Sequence, residues 1–415
     1  MPHLSPNALS DLKIFAAYAI FFGSYIVFAF GKFPGMKIDR PGAAVIGAVL
    51  MVVTGVLGPS EALRAVDFST LVLLFSMMLI VAYLHQAGFF DWITELVVTR
   101  LKPQHLLPTV IFTSGILSAF FVNDIICLVM VPFVLTATKR LGVKALPHLL
   151  AVATASNIGS VATITGNPQN MLIGSYSSIA YRDFFFHLGP VAAAGLFLDW
   201  LILSMLFPGA GREGRPTDSP LATVQVDRSR LVKPGIVIVG VLAGFILGAP
   251  PALMAAFGAA MMLITRTREP RQVYDEVDWG LLVFFLGLFL IVGGADKAGL
   301  TGRLLWFAHS WNLQHPTLFT VVTAALSNLV SNVPAVMLLK SLVPGFSNPH
   351  TGWMILAMAS TLAGNLTITG SVANIIVIER ARREAPVSFR DYLKVGVPIT
   401  IATLLVGLLW LWWID

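Results

Sequence analysis

The sequence is short of charge. Only 12% of its 415 residues are Asp, Glu, Lys or Arg, about half the share a soluble domain carries. Hydrophobic residues make up 56%, more apolar side chain than a compact water-soluble particle can cover with polar groups. A soluble enzyme is therefore not expected, and the bilayer becomes the solvent. Cysteine is nearly absent: Cys127 stands alone, which rules out intramolecular disulfides and sites built from several thiolates. No Gly-x-x-x-x-Gly-Lys-Ser/Thr loop is present to cradle a phosphate, so pumping driven by ATP on this chain is not expected and the energy source should be an ion gradient. The apolar runs also lack His-Glu-x-x-His and Ser/Lys constellations, which argues against a membrane-embedded enzyme. The formal charge is +6, yet no basic stripe with interleaved aromatics points to nucleic acid. Met1 to Ser10 lacks the pattern of a cleaved signal peptide, so the first apolar run is expected to remain attached.

What is there is a series of apolar runs. Those long enough to cross about 30 Å of hydrocarbon lie near 14–31, 42–58, 69–87, 149–180, 188–207, 233–249, 251–265, 280–298, 352–378 and 394–414. Two further stretches, 105–138 and 316–346, carry polar tips at Asn123-Asp124 and Ser331-Asn332 and read as re-entrant hairpins. The runs near 149–180 and 352–378 are interrupted at Thr163 to Gln169 and at Thr367 to Ala373. Irregular backbone at membrane depth survives only inside protein or beside a water-filled cavity.

The chain also repeats itself. Val66-Asp67 with Leu71-Val72, and Leu79-Ile80-Val81 with Ala87-Gly88, recur 211 positions later as Val277-Asp278 with Leu282-Val283 and Leu290-Ile291-Val292 with Ala298-Gly299. Ser118 and Asn123 recur as Ser327 and Asn332 after 209, and Thr163-Ile164-Thr165-Gly166-x-x-x-Asn170 recurs from Thr367 to Asn374 after 204. Five crossings per copy, an odd number, give the second copy the opposite orientation. Placing the basic loops in the cytoplasm puts Lys32, Lys37 and Arg40, Arg100 to Lys102, Lys139 to Lys144, Arg212 to Lys233, Arg266, Arg268 and Arg271, and Arg380 to Arg383 inside. Both termini then fall outside. The expected fold is an all-α polytopic membrane protein: two inverted-topology repeats (1–208 and 233–415), a cytoplasmic linker at 209–232, about ten transmembrane helices, two re-entrant hairpins and two broken helices.

Inverted repeats with helices broken at matching places are the signature of a secondary transporter whose site lies near the midplane. Each break frees carbonyls for a cation and amides for an anion. Asn123 and Asn332 either bind solute or cap the hairpin turns. Asp124, whose repeat equivalent is Val333, has no Lys or Arg near it in sequence. It is a candidate to carry a proton or pair with a cation, the alternative being an N-cap. Thr163, Thr165, Gly166, Asn167, Asn170, Ser331, Thr367, Thr369, Gly370, Ser371 and Asn374 complete the candidate lining, although membrane threonines also bond back to their own backbone. Pro168 fixes the first break. Asp199 is either a relay carboxylate or a residue facing bundle water. Cys127 is more simply a buried hydrophobe than a contact for a thiophilic solute. His85, Asp296 and Lys297 read as interfacial, and Trp410, Trp412 and Trp413 as an aromatic belt.

At these residues the chain resembles the ion transporter superfamily, which includes arsenite permeases of the ArsB type, sodium/proton antiporters of the NhaD type and divalent anion/sodium symporters. Asn123-Asp124 with Pro132, and Ser327-Asn328 with Ser331-Asn332-Val333-Pro334, look most like arsenite permease tips. Both threonines of the symporters' Ser-Asn-Thr tips are missing. The resemblance implies proton-driven export of arsenite or antimonite by an elevator-like movement in a prokaryotic inner membrane. No cofactor beyond the coupling ion is implied, and there is room for a homodimer and a soluble ATPase partner. A sodium-coupled anion symporter, a sodium/proton antiporter and a channel stay open as alternatives.

Overall fold

The computed structural model describes residues 6–31, 37–90, 92–93, 102–211, 229–264 and 270–414. Lys32, Arg100, Arg266, Arg268 and most of the 209–232 linker, Arg212 included, lie outside the described residues. The first repeat runs through α1 (Pro6–Phe30), α2 (Arg40–Val53), α3 (Pro59–Ala65), α4 (Phe68–Gln86), α5 (Pro103–Phe120), α6 (Asn123–Leu141), α7 (Ala145–Ser160), α8 (Pro168–Ser177) and α9 (Tyr181–Leu206). The second runs through α10 (Ser229–Ile246), α11 (Pro251–Leu263), α12 (Pro270–Tyr274), α13 (Trp279–Lys297), α14 (Leu300–Ser310), α15 (Pro316–Val330), α16 (Asn332–Leu339), α17 (Pro349–Leu362), α18 (Val372–Ala381) and α19 (Phe389–Ile414). Short 3-10 turns cover Lys340–Gly345, Ala363–Asn365 and Ile368–Gly370.

The repeated motifs are the punctuation of these helices. Asp67 caps α4 by accepting from the backbone amides of Ser69 (3.0 Å) and Thr70 (3.3 Å). Its equivalent Asp278 caps α13 through Leu281 N at 2.9 Å. Such caps satisfy orphan amides at a helix start. At the other ends, Gly88 (φ 79°) and Gly299 (φ 88°) take the left-handed turn that closes a helix at low cost for glycine.

Among the described residues, five helices are long and apolar enough by themselves to cross a membrane: Ser10–Phe30 within α1, and α4, α9, α13 and α19. The helices α2 and α11 are shorter than the apolar runs that contain them, with 14 and 13 residues. Gly55 (φ 69°) follows the end of α2, and Pro250-Pro251 sets the start of α11. The other crossings are the broken pairs α7/α8 and α17/α18, together with α10.

Two groups of helices emerge. In one, α13 packs on α2 and α11 on α4, so each repeat supplies partners for the other. The second holds both hairpins (α5/α6 and α15/α16), both broken helices, α9 and α19. Glycine allows the closest approaches: Gly287 lies against the Ala44 backbone, and Gly159 against the Gly115 backbone. Small residues take this role where lipid supplies no hydrophobic drive for packing. Cross-repeat ion pairs join helix ends on either face, Lys139 with Glu384 (2.5 Å) on one and Lys297 with Glu61 (2.6 Å) on the other. Outward faces stay apolar, as at Phe15, Phe22, Leu247, Trp412 and Trp413.

Candidate functional site

Four breaks in the helices meet. Helices α5, α7, α15 and α17 end there, and α6, α8, α16 and α18 begin there, so helix carbonyl ends and helix amide ends converge on one region. Pro168 stands at the start of α8, where its missing amide costs nothing, and Asn167 caps that helix by accepting from Asn170 N at 2.8 Å. The second hairpin turns at Ser331, held at φ 78°, ψ 159°, a region that costs a residue other than glycine about 1–3 kcal/mol.

The two broken helices are held by the same device. Asn170 Nδ2 donates to Ser160 O (3.1 Å) and Thr163 O (3.0 Å). Asn374 Nδ2 donates to Gly364 O (2.7 Å) and Thr367 O (3.0 Å), the equivalent carbonyls 204 positions on. Each asparagine satisfies carbonyls that the break strands in a buried place, which would otherwise be costly.

Between the repeats stands Asn157, fully buried. Its Oδ1 accepts from Asn123 Nδ2 (3.0 Å) and Ser371 Oγ (3.0 Å), and its Nδ2 donates to Asn365 Oδ1 (2.8 Å) and Asn374 Oδ1 (3.0 Å). An amide has four such capacities, and all four are used. The first hairpin tip is further fixed by Asn123 N donating to Gly166 O at 3.0 Å. With its amide oriented by its surroundings, Asn332 donates to Ser327 Oγ (2.8 Å) and Gly370 O (3.0 Å) and accepts from Gln169 Nε2 (3.2 Å). Because Gly370 and Ser371 are neighbours, both hairpin asparagines belong to one network.

Asn157→Ala strands the groups on Asn123, Asn365, Asn374 and Ser371. At about 1–3 kcal/mol for each buried group left unpaired, relieved in part by local shifts, it is expected to lower the Tm of the detergent-purified protein markedly. An unchanged Tm would show that the hub carries no weight.

The candidate residues divide by position. Asn123, Asn167, Asn170, Asn332, Ser371 and Asn374 are buried in the network, with Gly166 and Gly370 supplying carbonyls. The first-repeat threonines are committed to structure: Thr163 Oγ1 donates to Ala119 O, and Thr165 Oγ1 lies 3.0 Å from Tyr181 OH. Thr367 donates to Asn328 Oδ1 at 3.0 Å, and Thr369 is exposed. Asp124 lies half-buried in the first turn of α6, with no hydrogen bond or ion pair to any described residue. It is not the cap, since Val122 holds that position without a side-chain bond. Cys127 turns away, its Sγ 3.0 Å from Ser156 Oγ. Asp199 does not face bundle water: it is fully buried and accepts from Thr154 Oγ1 (2.9 and 3.1 Å), and Thr154 O accepts from Asn365 Nδ2 (3.1 Å).

Self-comparison passes over Asn157 because its equivalent is Thr361, a different residue type; a lone amide inside an apolar run is the signal that finds it. Gln169, Asn365, Ser360 and Thr361 join the network in the same way. Asn123 Oδ1, Ser114 Oγ, Ser118 Oγ and Thr323 Oγ1 are buried without a hydrogen-bond partner among the described residues, and Ser114 and Thr323 are repeat equivalents.

The two repeats differ in exposure. Asn332 to Met337 of α16 are all buried, whereas Asp124, Ile125, Leu128 and Val129 at equivalent depth on α6 are half-buried.

Comparison with known proteins agrees with this architecture. The citrate transporter family matches residues 25–363. The silicon efflux transporter LSI3 of Oryza sativa subsp. japonica is 30% identical, with 97% of this chain and 98% of that one covered. The putative transporter arsB of Dictyostelium discoideum is 25% identical over 90% of this chain and 87% of its own length. The crystal structure of the YdaH transporter from Alcanivorax borkumensis superposes with a TM-score of 0.62 at 14% identity, covering 98% of each chain.

Proposed function

This chain belongs to the citrate transporter family and is a multi-pass membrane transporter, and we propose that it exports small neutral inorganic hydroxides, arsenite and antimonite foremost, in exchange for protons. The observation that carries the reading is the chemistry of the converging breaks. Between 118 and 124, 157 and 170, 327 and 333, and 360 and 374 there is no Lys, Arg or His. Amides, hydroxyls and backbone groups both donate and accept, which suits a neutral triol such as As(OH)3. They offer no charged clamp for a polyanion. The names of two relatives, one a silicon efflux transporter and one arsB, support solutes of this kind, since silicic acid is also a small neutral hydroxide.

In this reading Asn123 and Asn332 bind the solute with Ser331 and Ser371, and Asp124 carries the proton. The free buried oxygens of Asn123, Ser114, Ser118 and Thr323 extend the lining. Alternating access is an elevator-like movement of the hairpins, broken helices, α9 and α19 against the group built on α2, α4, α11 and α13. The division of helix packing into these two groups supports it. With the basic loops in the cytoplasm, both termini lie outside.

The second reading is a sodium-coupled anion symporter. The family's description as citrate transporters and the four helix amide ends at the breaks, which favour negative charge, both support it.

One assay separates the two readings. Purified protein in proteoliposomes is given arsenite, antimonite, silicic acid or citrate under an imposed proton or sodium gradient. Arsenite moving uphill against the proton gradient without sodium is the expected outcome. Sodium-driven citrate uptake with arsenite left at equilibrium would replace the first reading with the second.

A further inference from the structure

Away from the converging breaks, one cluster unites metal-ligating side chains from both repeats. Asp183 and His187 sit four residues apart in the first two turns of α9 and so share a face. His350 stands in the first turn of α17. His350 Nε2 lies 2.7 Å from Asp183 Oδ2, His187 Nδ1 lies 3.2 Å from Asp183 Oδ1, and the two imidazoles meet edge to face at 4.6 Å. One ligand atom from each residue falls within 4.8 Å of the other two.

We propose that Asp183, His187 and His350 bind one divalent transition-metal ion of the Zn2+ class. Two imidazoles and a carboxylate form a donor set of borderline softness, which prefers Zn2+, Ni2+ or Cu2+ to Mg2+ or Ca2+. The spacing is close to what such an ion needs: arms of about 2.0–2.1 Å in a tetrahedron separate ligand atoms by roughly 3.3 Å. One ligand atom from each residue, all within 4.8 Å of one another, reaches that spacing with small side-chain rotations. The site is reachable, since Asp183 is 44% and His350 30% exposed, and that opening leaves a fourth position for water. It is also braced from behind. His187 Nδ1 lies 2.9 Å from Asp183 O, which orients the imidazole. Trp410 Nε1 of α19 donates to His187 O at 2.9 Å. A bound ion would tie the outer ends of α9 and α17, one from each repeat, at the end of α17 opposite Thr361.

The test uses the full chain in detergent, stripped with EDTA and titrated with Zn2+ by calorimetry, with metal content measured after gel filtration. One Zn2+ per chain is expected, with a raised Tm and no competition from excess Mg2+ or Ca2+. Asp183→Asn and His350→Gln should each weaken binding by at least about tenfold, which corresponds to ~1.4 kcal/mol. His350→Cys keeps a ligand and should retain tight binding with a shift toward Cd2+, which separates loss of a ligand from loss of folding. No Zn2+ on the parent chain, or equal binding by the parent, Asp183→Asn and His350→Gln, overturns the site and leaves a carboxylate merely hydrogen-bonded between two imidazoles.

Discussion

Asp124→Asn is expected to abolish uphill transport while leaving solute exchange intact. With about two pH units across the membrane, one proton per solute supports roughly 100-fold accumulation, at ~1.4 kcal/mol per unit. The variant should equilibrate only. Asparagine keeps the size and polarity of the side chain, and because Asp124 makes no hydrogen bond or ion pair to a described residue, the substitution removes little besides the proton-binding group. Counterflow of labelled arsenite at equal concentrations on both sides should persist, which separates loss of coupling from loss of folding. Full accumulation by Asp124→Asn would move proton coupling elsewhere, with Asp199 the next residue to examine.

The second large effect is structural. In Gly159→Ala the new Cβ would stand 2.0 Å from Gly115 O and 2.5 Å from Gly115 Cα, so backbone meets backbone and no rotamer change relieves the contact. Overpacking that side chains can absorb costs about 1–3 kcal/mol. Here the first hairpin must leave α7, taking the Asn123–Asn157 bond with it, and a loss above ~3 kcal/mol is expected, read as a collapse in Tm or in the yield of folded protein. Gly302→Ala is the control. No described residue lies within 4 Å of its Cβ, and alanine in a helix is favoured over glycine by about 0.5–1 kcal/mol. Equal stability of the two variants would contradict the packing described.

The architecture was readable in the sequence where local chemistry writes it. Val66-Asp67 and Val277-Asp278 are helix caps, Ala87-Gly88 and Ala298-Gly299 are helix ends, and Asn170 and Asn374 tether the breaks. All act within a few residues, so self-comparison detects them. Helix lengths were less legible: the apolar runs containing α2 and α11 continue past the residues that end the helices. The hub at Asn157 depends on partners 34, 208 and 217 positions away, and no local pattern announces such a meeting. Thr163 and Thr165 carry the repeat motif but spend their hydroxyls on Ala119 O and Tyr181, so matching spacing marked the elbow correctly without identifying the residues free to bind. Asp183 and His350, 167 positions apart, became neighbours only through the packing of α9 on α17.

The most direct test is to locate the solute itself. Crystals grown with antimonite and measured above the antimony absorption edge are predicted to show one anomalous peak at the converging breaks, within hydrogen-bonding reach of Asn123 and Asn332. A peak at another place in the molecule, with this region unchanged, would contradict the account.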